Sequence, residues 1–327
     1  MQVDVSIIIV CMNRPDLLYP CLESIEAHTV CSHEIIVTAY RFSPENLASL
    51  KKDWPLVRVV VNDSLAGFAE NNNLALKEAK GEFCFIVNDD TLMSMPVIDS
   101  LLADFNRVPE RTAAISPKIV FPDGRIQTCG RDPWTPWRYI RHYLHLTHES
   151  KPGAWSGKEG LFRSWTLNGA CFMIRATAFR DVGFFDETYT FTPEDIALGQ
   201  LLNERGWEVW ADADVAITHL AGATSGPIQM AIKPVKVKGC LIYYSSLRNL
   251  KNPQGSDSVN SLTYGMMACV IWCFEALRVL RWLPFIRKGP ASRPAIMFHT
   301  ARNVMKSLWN GMSPKELFVK LFEEIQR

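Results

Sequence analysis

Residues 81–91 read Gly-Glu-Phe-Cys-Phe-Ile-Val-Asn-Asp-Asp-Thr. The apolar run 83–87 is too short for a helix and has the make-up of a strand buried on both faces. Short runs of the same kind lie upstream at Val5–Val10, Ile35–Val37 and Val57–Val61. Between the first two, PDLLYPCLESIEAHT places Leu18, Cys21, Leu22 and Ile25 on one helical face. Between the last two, GFAENNNLALKEAKG is amphipathic, with Leu74 and Ala75 on one face and Gly81 as its stop. Repeated strand, helix, strand predicts an α/β fold with a parallel sheet covered by helices on both faces. Ligands of such sheets sit beyond the carboxyl ends of the strands, so polar residues just after each run are the first candidates for a site.

The chain has 327 residues, 48% of them hydrophobic and 21% charged, with 10 Trp. That excludes wholesale disorder and low complexity and leaves room for two domains. The net charge of +1 hides an asymmetry: residues 228–327 hold 15 Lys and Arg against 5 Asp and Glu, a balance of +10, and the remainder carries −9. We therefore expect a domain over 1–227 and a basic, mainly helical region over 228–327. Nine dispersed cysteines form no CxxC pair; free buried thiols of a reducing compartment are expected rather than zinc or disulfides. The opening MQVDVSIIIV runs straight into a strand pattern, which leaves no room for a signal peptide.

Asn88-Asp89-Asp90 directly follows the strand run. A carboxamide and two carboxylates make a compact set of hard oxygen donors suited to Mg²⁺ or Mn²⁺ carrying a diphosphate; a simple strand-to-loop turn uses the same residue types. Thr192-Pro193-Glu194-Asp195 reads as a helix start, with Thr192 as cap and Pro193 in the first turn. Asp195 then either closes a capping box or, like Glu194, accepts a proton from an incoming hydroxyl. His219 ends the run VAITH. It is an ordinary strand-end histidine unless the acidic pair holds a metal, for which a neutral imidazole is a ready further ligand.

Taken in order, VSIIIVCMNRP, LAGFAENNNLAL, GEFCFIVNDDT, PKIVFPDGRIQTCG, LNGACFMIR, VGFFDETYTFTPEDIALGQLLNERG and ADVAITHLAGATS resemble a family 2 glycosyltransferase of the GT-A fold, near its bacterial rhamnosyltransferase-like members. The resemblance covers about residues 3–226. It implies that Asp90 is a direct metal ligand, that Asp89 faces the metal or the donor's ribose, and that His219 completes the metal shell. It makes Asp195 the catalytic base with Glu194 beside it, and sets Gly67, Phe68 and Asn72 near the nucleotide. Asn88 belongs to the metal motif, and Asn168-Gly169-Ala170 brings backbone close to the donor sugar. The implied reaction is inverting: a divalent ion neutralises the leaving diphosphate while one carboxylate deprotonates the attacking hydroxyl.

Two places depart from the family pattern. Where an aspartate-containing turn usually grips the base, IIVTAYRFSPEN offers Tyr40 to stack on the ring or Arg41 to contact the nucleotide. The first strand ends Cys11-Met12-Asn13-Arg14, with Asn13 and Arg14 kept and Arg14 available to a phosphate. Donor identity is thereby open among dTDP-rhamnose, UDP-galactofuranose and a UDP-hexose. From other classes, a catalytically silent GT-A binding or assembly module and a nucleotidyltransferase remain as alternatives.

The aromatic stretch 131–165, with Trp134, Trp137, Tyr139, Tyr143, Trp155 and Trp165, serves either as an acceptor-facing insertion or as buried packing. His142, His145 and His148 read as a solvated helix face. In the tail, KPVKVKG alternates like an edge strand. The apolar run Leu262–Phe274 has 13 residues, too short to cross a bilayer. Followed by Arg278, Arg281, Arg287 and Lys288, it reads as a basic amphipathic helix for an anionic membrane surface, a packed appendage or a homo-oligomer contact. Ser313, Pro314 and Glu316 mark a further helix start. The expected partners are a nucleotide-sugar donor and a glycan or polyprenyl-diphosphate-linked acceptor, with no nucleic acid. The expected location is the cytoplasm, peripheral to the inner face of the cell membrane.

Overall fold

The computed structural model describes residues 3–127, 134–147, 158–221, 228–246, 258–284 and 292–326. In chain order, the first elements are β1 (Val5–Cys11), α1 (Pro15–His28), β2 (His33–Tyr40), α2 (Pro44–Asp53), β3 (Arg58–Asn62), α3 (Phe68–Leu76) and β4 (Phe83–Asn88). Next come β5 (Thr91–Leu92), α4 (Val97–Asp104), β6 (Thr112–Val120), α5 (Pro136–Tyr143), β7 (Leu161–Ser164), β8 (Cys171–Arg175), α6 (Ala176–Asp181), α7 (Glu194–Glu204) and β9 (Glu208–His219). Four helices close the chain: α8 (Gln229–Ser245), α9 (Ser261–Trp282), α10 (Arg293–Ser307) and α11 (Pro314–Gln326).

Two compact units result, one of residues 1–133, 149–186 and 194–224, the other of 134–148, 187–193 and 225–327. The expected boundary at 227/228 thus falls close to the last crossing. The helical unit also recruits two segments from within 1–227, and aromatic packing is the reason. Tyr139 of α5 stacks on Tyr244 of α8 with centroids 4.8 Å apart, Tyr189 meets Tyr243 and Phe191 meets Phe318.

The first unit is a nine-stranded sheet in the order β3-β2-β1-β4-β8-β6-β9-β5, with β7 paired to β9. The β3-β2-β1-β4 half is parallel; β8 then runs antiparallel to both β4 and β6, and β6 and β9 are parallel again. Alternation along each strand sorts its side chains between two helix layers. Val5, Ile7, Ile9 and Cys11 of β1, with Phe83, Phe85 and Val87 of β4, pack with α1 and α4 residues. Ile8, Cys84 and Ile86 pack on the opposite face with Ala69, Phe179 and Leu198. Burial on both faces explains the continuous apolar runs.

The face expected for α1 is the buried one: Leu18, Cys21, Leu22 and Ile25. In α3 it is not. Asn71, Asn72 and Asn73 are buried with Ala75, whereas Leu74 is only half-buried. Each carboxamide donates to a backbone carbonyl, Asn71 to Gly67 O (2.8 Å), Asn72 to Phe68 O (2.9 Å) and Asn73 to Phe185 O (2.9 Å), and buried amides that are satisfied in this way are tolerated. Gly81 does not stop that helix either. A Cβ there would lie 2.5 Å from Ser6 N, so the glycine is required where the chain enters β4.

The second unit packs α5, α8, α9 and α10 around Tyr139, Leu241, Met267, Ile271, Val304 and Leu308. KPVKVKG lies inside α8 and is not an edge strand. Pro234, Val235, Val237 and Lys238 are all buried there, the Lys238 ammonium donating to Ser307 O (3.0 Å) and Asn310 Oδ1 (3.3 Å). Tertiary packing overrides the period-two pattern. A Cβ at Gly239 would come within 2.7 Å of Thr192 O. The helix start at Ser313 forms as expected, with Glu316 N–H donating to Ser313 Oγ and Ser313 N–H to Glu316 Oε2.

α9 runs for 22 residues and is long and apolar enough to cross a membrane by length and composition, which corrects the reading from the 13-residue run. Arg278 is not on a lipid-facing side: its guanidinium is paired to the fully buried Glu275 at 2.8 Å. Arg287, Lys288, His148 and Trp155 lie outside the described residues. His142 and His145 are exposed, as expected. Of the aromatic stretch, Tyr139 is buried and Trp137 and Trp165 are exposed. The eight described cysteines are free thiols; Cys269 and Cys273 are exposed on α9 rather than buried.

Candidate active site

β1, β2, β3, β4, β6 and β9 all point the same way, so their carboxyl ends and the start of β8 share one edge of the sheet. Nearly all sequence-predicted site residues lie along it. Asp89 and Asp90 form the tight link between β4 and β5, each 5% exposed. β5 pairs with the end of β9, Thr91 opposite His219. Asp90 Oδ1 thereby meets His219 Nε2 at 3.1 Å, and Asn88 Nδ2 lies 3.3 Å from the same nitrogen.

Gln127, which the sequence reading passed over, fixes the imidazole. Its amide nitrogen donates to His219 O (2.8 Å), which leaves its carbonyl oxygen to accept from His219 Nδ1–H (2.8 Å). The Nε2 lone pair is then directed at Asn88 and Asp90. A lone pair and a carboxylate oxygen 3.1 Å apart require positive charge between them, from a proton or from a cation. Two ligands at right angles, each ~2.1 Å from an octahedral ion, are about 3 Å apart, so this pair fits a divalent metal as adjacent ligands. Among the described residues no group of three or more His, Cys, Asp and Glu side chains converges. Asp90 and His219 would fill two positions, and phosphate and water oxygens suit the rest.

The Asp89 carboxylate faces the thiol of Cys11 at the end of β1, whose pKa is raised well above the usual range by burial first and by Asp89 next. It also acts electrostatically on Arg14. Behind the motif, Thr91 Oγ1 donates to Asn88 O (2.8 Å), and Cys21 of α1, its pKa pushed by burial to about 12, packs on both.

Asp195 is the second residue of α7. Thr192 has φ +46°, which is not the extended backbone of an N-cap, and the helix begins at Glu194, after Pro193. The capping box therefore gives way to another arrangement: Asp195 Oδ2 accepts from Gly169 N–H (3.0 Å) and Oδ1 from Ile196 N–H (2.8 Å). Gly169 has to be small. A Cβ on it would meet the Phe68 ring at 3.3 Å and the Asp195 side chain at 3.7 Å. Asn168 closes the turn by accepting from Ala170 N–H (3.0 Å), and Ala170 O accepts from Asn88 N–H (3.0 Å). A continuous hydrogen-bonded path thus runs Asp195–Gly169–Ala170–Asn88–His219–Asp90. Glu194 is buried beside Asp195.

Four predicted donor-binding residues have structural duties. Tyr40 is 4% exposed and its hydroxyl accepts from Ala66 N–H (3.3 Å), so it holds the turn before α3 and has no open face for a base. Asn72 is 1% exposed and bonded within α3, so it does not line a pocket. Asn13, with φ +51°, accepts from Ser43 N–H and Asn46 Nδ2 and ties the β1 and β2 turns together. Arg14 forks onto Asp16 (2.6 and 2.8 Å) yet stays one-third exposed at the sheet edge. Gly67 caps α3, its N–H donating to Glu70 Oε2 (3.2 Å), and Phe68 packs edge-on against Phe185.

A sheet of this order, with an acid–imidazole pair and a helix-start aspartate on one edge, defines a GT-A-like α/β transferase. The chain belongs to glycosyl transferase family 2, whose model matches residues 6–182. It is 28% identical over 225 residues to the O-antigen biosynthesis protein RfbC of Myxococcus xanthus, covering 67% of this chain and 17% of that one. It is 28% identical over 182 residues to the N-acetylglucosaminyl-diphospho-decaprenol L-rhamnosyltransferase of Mycobacterium tuberculosis, covering 50% and 55%. The chain thus spans about half or less of these relatives. Two solved structures share the fold at TM-score 0.54. One is GalNAc-T7 with UDP, GalNAc and Mn²⁺ (16% identity; 81% of this chain, 54% of that one). The other is the mannosyltransferase PcManGT of Pyrobaculum calidifontis with GDP-Man and Mn²⁺ (12%; 95% and 89%).

Proposed function

We propose that this glycosyltransferase moves rhamnose from a dTDP-linked donor, with inversion, onto a lipid-linked glycan at the cytoplasmic face of a bacterial membrane. One observation carries the reading: the Asn168-Gly169-Ala170 turn bonds both to the Asp195 carboxylate and to the backbone of the Asn88-Asp89-Asp90 motif. Base and leaving-group sites are thereby set on one short rigid frame. The two bacterial relatives, an O-antigen biosynthesis protein and a rhamnosyltransferase, support the sugar and the acceptor class, and the Mn²⁺ in both structural neighbours supports a divalent ion.

Asp90 and His219 would hold that ion. When bound, it supplies positive charge to the leaving diphosphate. The rest falls to side chains of the chain itself. Two backbone amides fix both oxygens of Asp195 and leave each a further lone pair, so the carboxylate is aimed without being used up. It takes the proton of an acceptor hydroxyl as that oxygen attacks the anomeric carbon. Gly169 lets the sugar approach backbone closely. Arg14, the exposed cation beside Asp89, is placed for a phosphate.

The test is a donor panel (dTDP-rhamnose, UDP-galactofuranose, UDP-hexoses) with Mn²⁺ or Mg²⁺, read as nucleoside diphosphate release. Release from dTDP-rhamnose alone supports the reading. Release from a UDP donor alone overturns the sugar, and no release from any donor favours a silent binding module.

A further inference from the structure

The exposed face of α9 is apolar for nearly its whole length. Leu262, Met266, Cys269, Trp272, Cys273, Leu277 and Leu280 are exposed at helical spacing, and Leu283 continues the row past the C-terminal end. Leu262 is 73% exposed, Leu277 67% and Leu280 63%. At 1.5 Å per residue the helix is about 33 Å long. An unbroken row of that length differs from the scattered single hydrophobics of an ordinary surface and marks an interaction face.

Three partners compete for it. A membrane-spanning role conflicts with the opposite face of the same helix, where fully buried Glu275 is held by Arg278 (2.8 Å), by Lys233 (3.4 Å) and by the Tyr143 hydroxyl. α10, a helix with Arg293, Arg302 and Lys306, packs along it. A buried, charge-clamped acid at mid-helix is costly inside a bilayer, and α9 carries one on the face that packs against α8 and α10. A second copy of the chain would bring together two regions of +10 each. An anionic bilayer surface suits both properties: the one acid of α9 is buried, and the only charged residue on its exposed face is Arg281. A groove of about 420 Å³ in the same unit adds Arg302, Lys306 and Lys320 against a single acid, Glu324.

We infer that the chain docks on anionic membranes through the exposed face of α9, the helix lying in the interfacial plane with Leu277, Leu280 and Trp272 among the acyl chains and cationic side chains toward the headgroups. This goes beyond the transfer reaction. Only its usefulness for a lipid-borne acceptor rests on the reading proposed above.

The experiment is vesicle flotation of the full chain with phosphatidylcholine alone and with phosphatidylglycerol added. The expected result is flotation with the anionic vesicles, lost roughly 100-fold in a Leu277→Asp/Leu280→Asp double variant. It is retained in Leu56→Asp, a change at a still more exposed leucine of the sheet unit. Surface positions leave the fold intact, which circular dichroism checks. Equal flotation of the double variant, or equal binding to neutral vesicles, overturns the proposal. So does a wild-type dimer that the double variant dissolves. Nucleoside diphosphate release with a water-soluble acceptor should be unchanged in the double variant; no release from the wild type would sink the transfer reading and leave docking standing.

Discussion

The sheet unit and the helical unit both bury carboxylates, and they treat them in opposite ways. Glu275 in the helical unit is clamped by Arg278 and Lys233. Asp90 in the sheet unit faces an imidazole, and Asp195 faces only backbone amides. A buried acid with matched cations has its charge settled within the protein; an acid positioned by neutral donors, half-buried in the case of Asp195, is left to act on something that arrives. In this contrast, on the proposed function, the first cluster is structural and the second reactive.

Paired substitutions can break it. Asp195→Asn should lower transfer by about 10³-fold, the usual worth of a positioned general base. It should cost only about 1 kcal/mol of stability, since one of two amide bonds is lost. Glu275→Gln should do the reverse. Two cations left beside a neutral amide should destabilise the helical unit by about 3–5 kcal/mol, with nucleoside diphosphate release per folded molecule unchanged. Denaturant melts alongside release assays decide it. If Asp195→Asn instead unfolds the protein and keeps activity, the carboxylate is structural and the contrast fails.

Gln127 sharpens the same point. Gln127→Ala frees the imidazole to take either tautomer, and the expected loss in Mn²⁺ affinity is about 10–100-fold. Gln127→Glu, which still accepts from Nδ1–H, should lose less. Mn²⁺ titration of the full chain followed by electron paramagnetic resonance reads this directly; equal affinity in all three would remove Asp90 and His219 from the metal site.

Much of the sheet unit was legible because its signals are local. Strands buried on both faces show as apolar runs, and the α1 face shows at period 3.6. The acid motif and His219 were found because strand ends are where such sheets bind. What escaped depended on contacts far apart in sequence. Gln127 lies 92 residues from His219 and looks like any loop glutamine. Asn72 was expected near the nucleotide, since nothing local shows that the Phe68 carbonyl takes its amide, as the Gly67 and Phe185 carbonyls take those of Asn71 and Asn73. Tyr40 looked free until Ala66 N–H was seen to occupy it. In the helical unit, alternating Lys and Val imitated a strand because the oxygens that hold Lys238 come from Ser307 at the end of α10 and from Asn310 beyond it.

A third carboxylate tests the contrast most finely, because it faces another acid. Asp104, at the end of α4, lies against Asp212 of β9, both 2% exposed, with Arg107 on its other oxygen at 2.7 Å. Burial first, then the bond and charge of Asp212, raise its pKa from 3.8 to about 7. The folded protein therefore holds a proton that the unfolded chain releases, and more protons on the native side mean that stability falls as pH rises. The contribution is full below about pH 4 and is lost as pH rises to about 7. Asp104→Asn removes that titration. Its stability relative to wild type should rise between pH 5 and pH 8 by on the order of 1 kcal/mol, Arg107 offsetting the remainder of the repulsion. A constant difference across that range, in denaturant melts at the two pH values, would mean that the pair shares no proton and that Arg107 alone settles both charges. Asp104 would then belong with Glu275 rather than between the two classes.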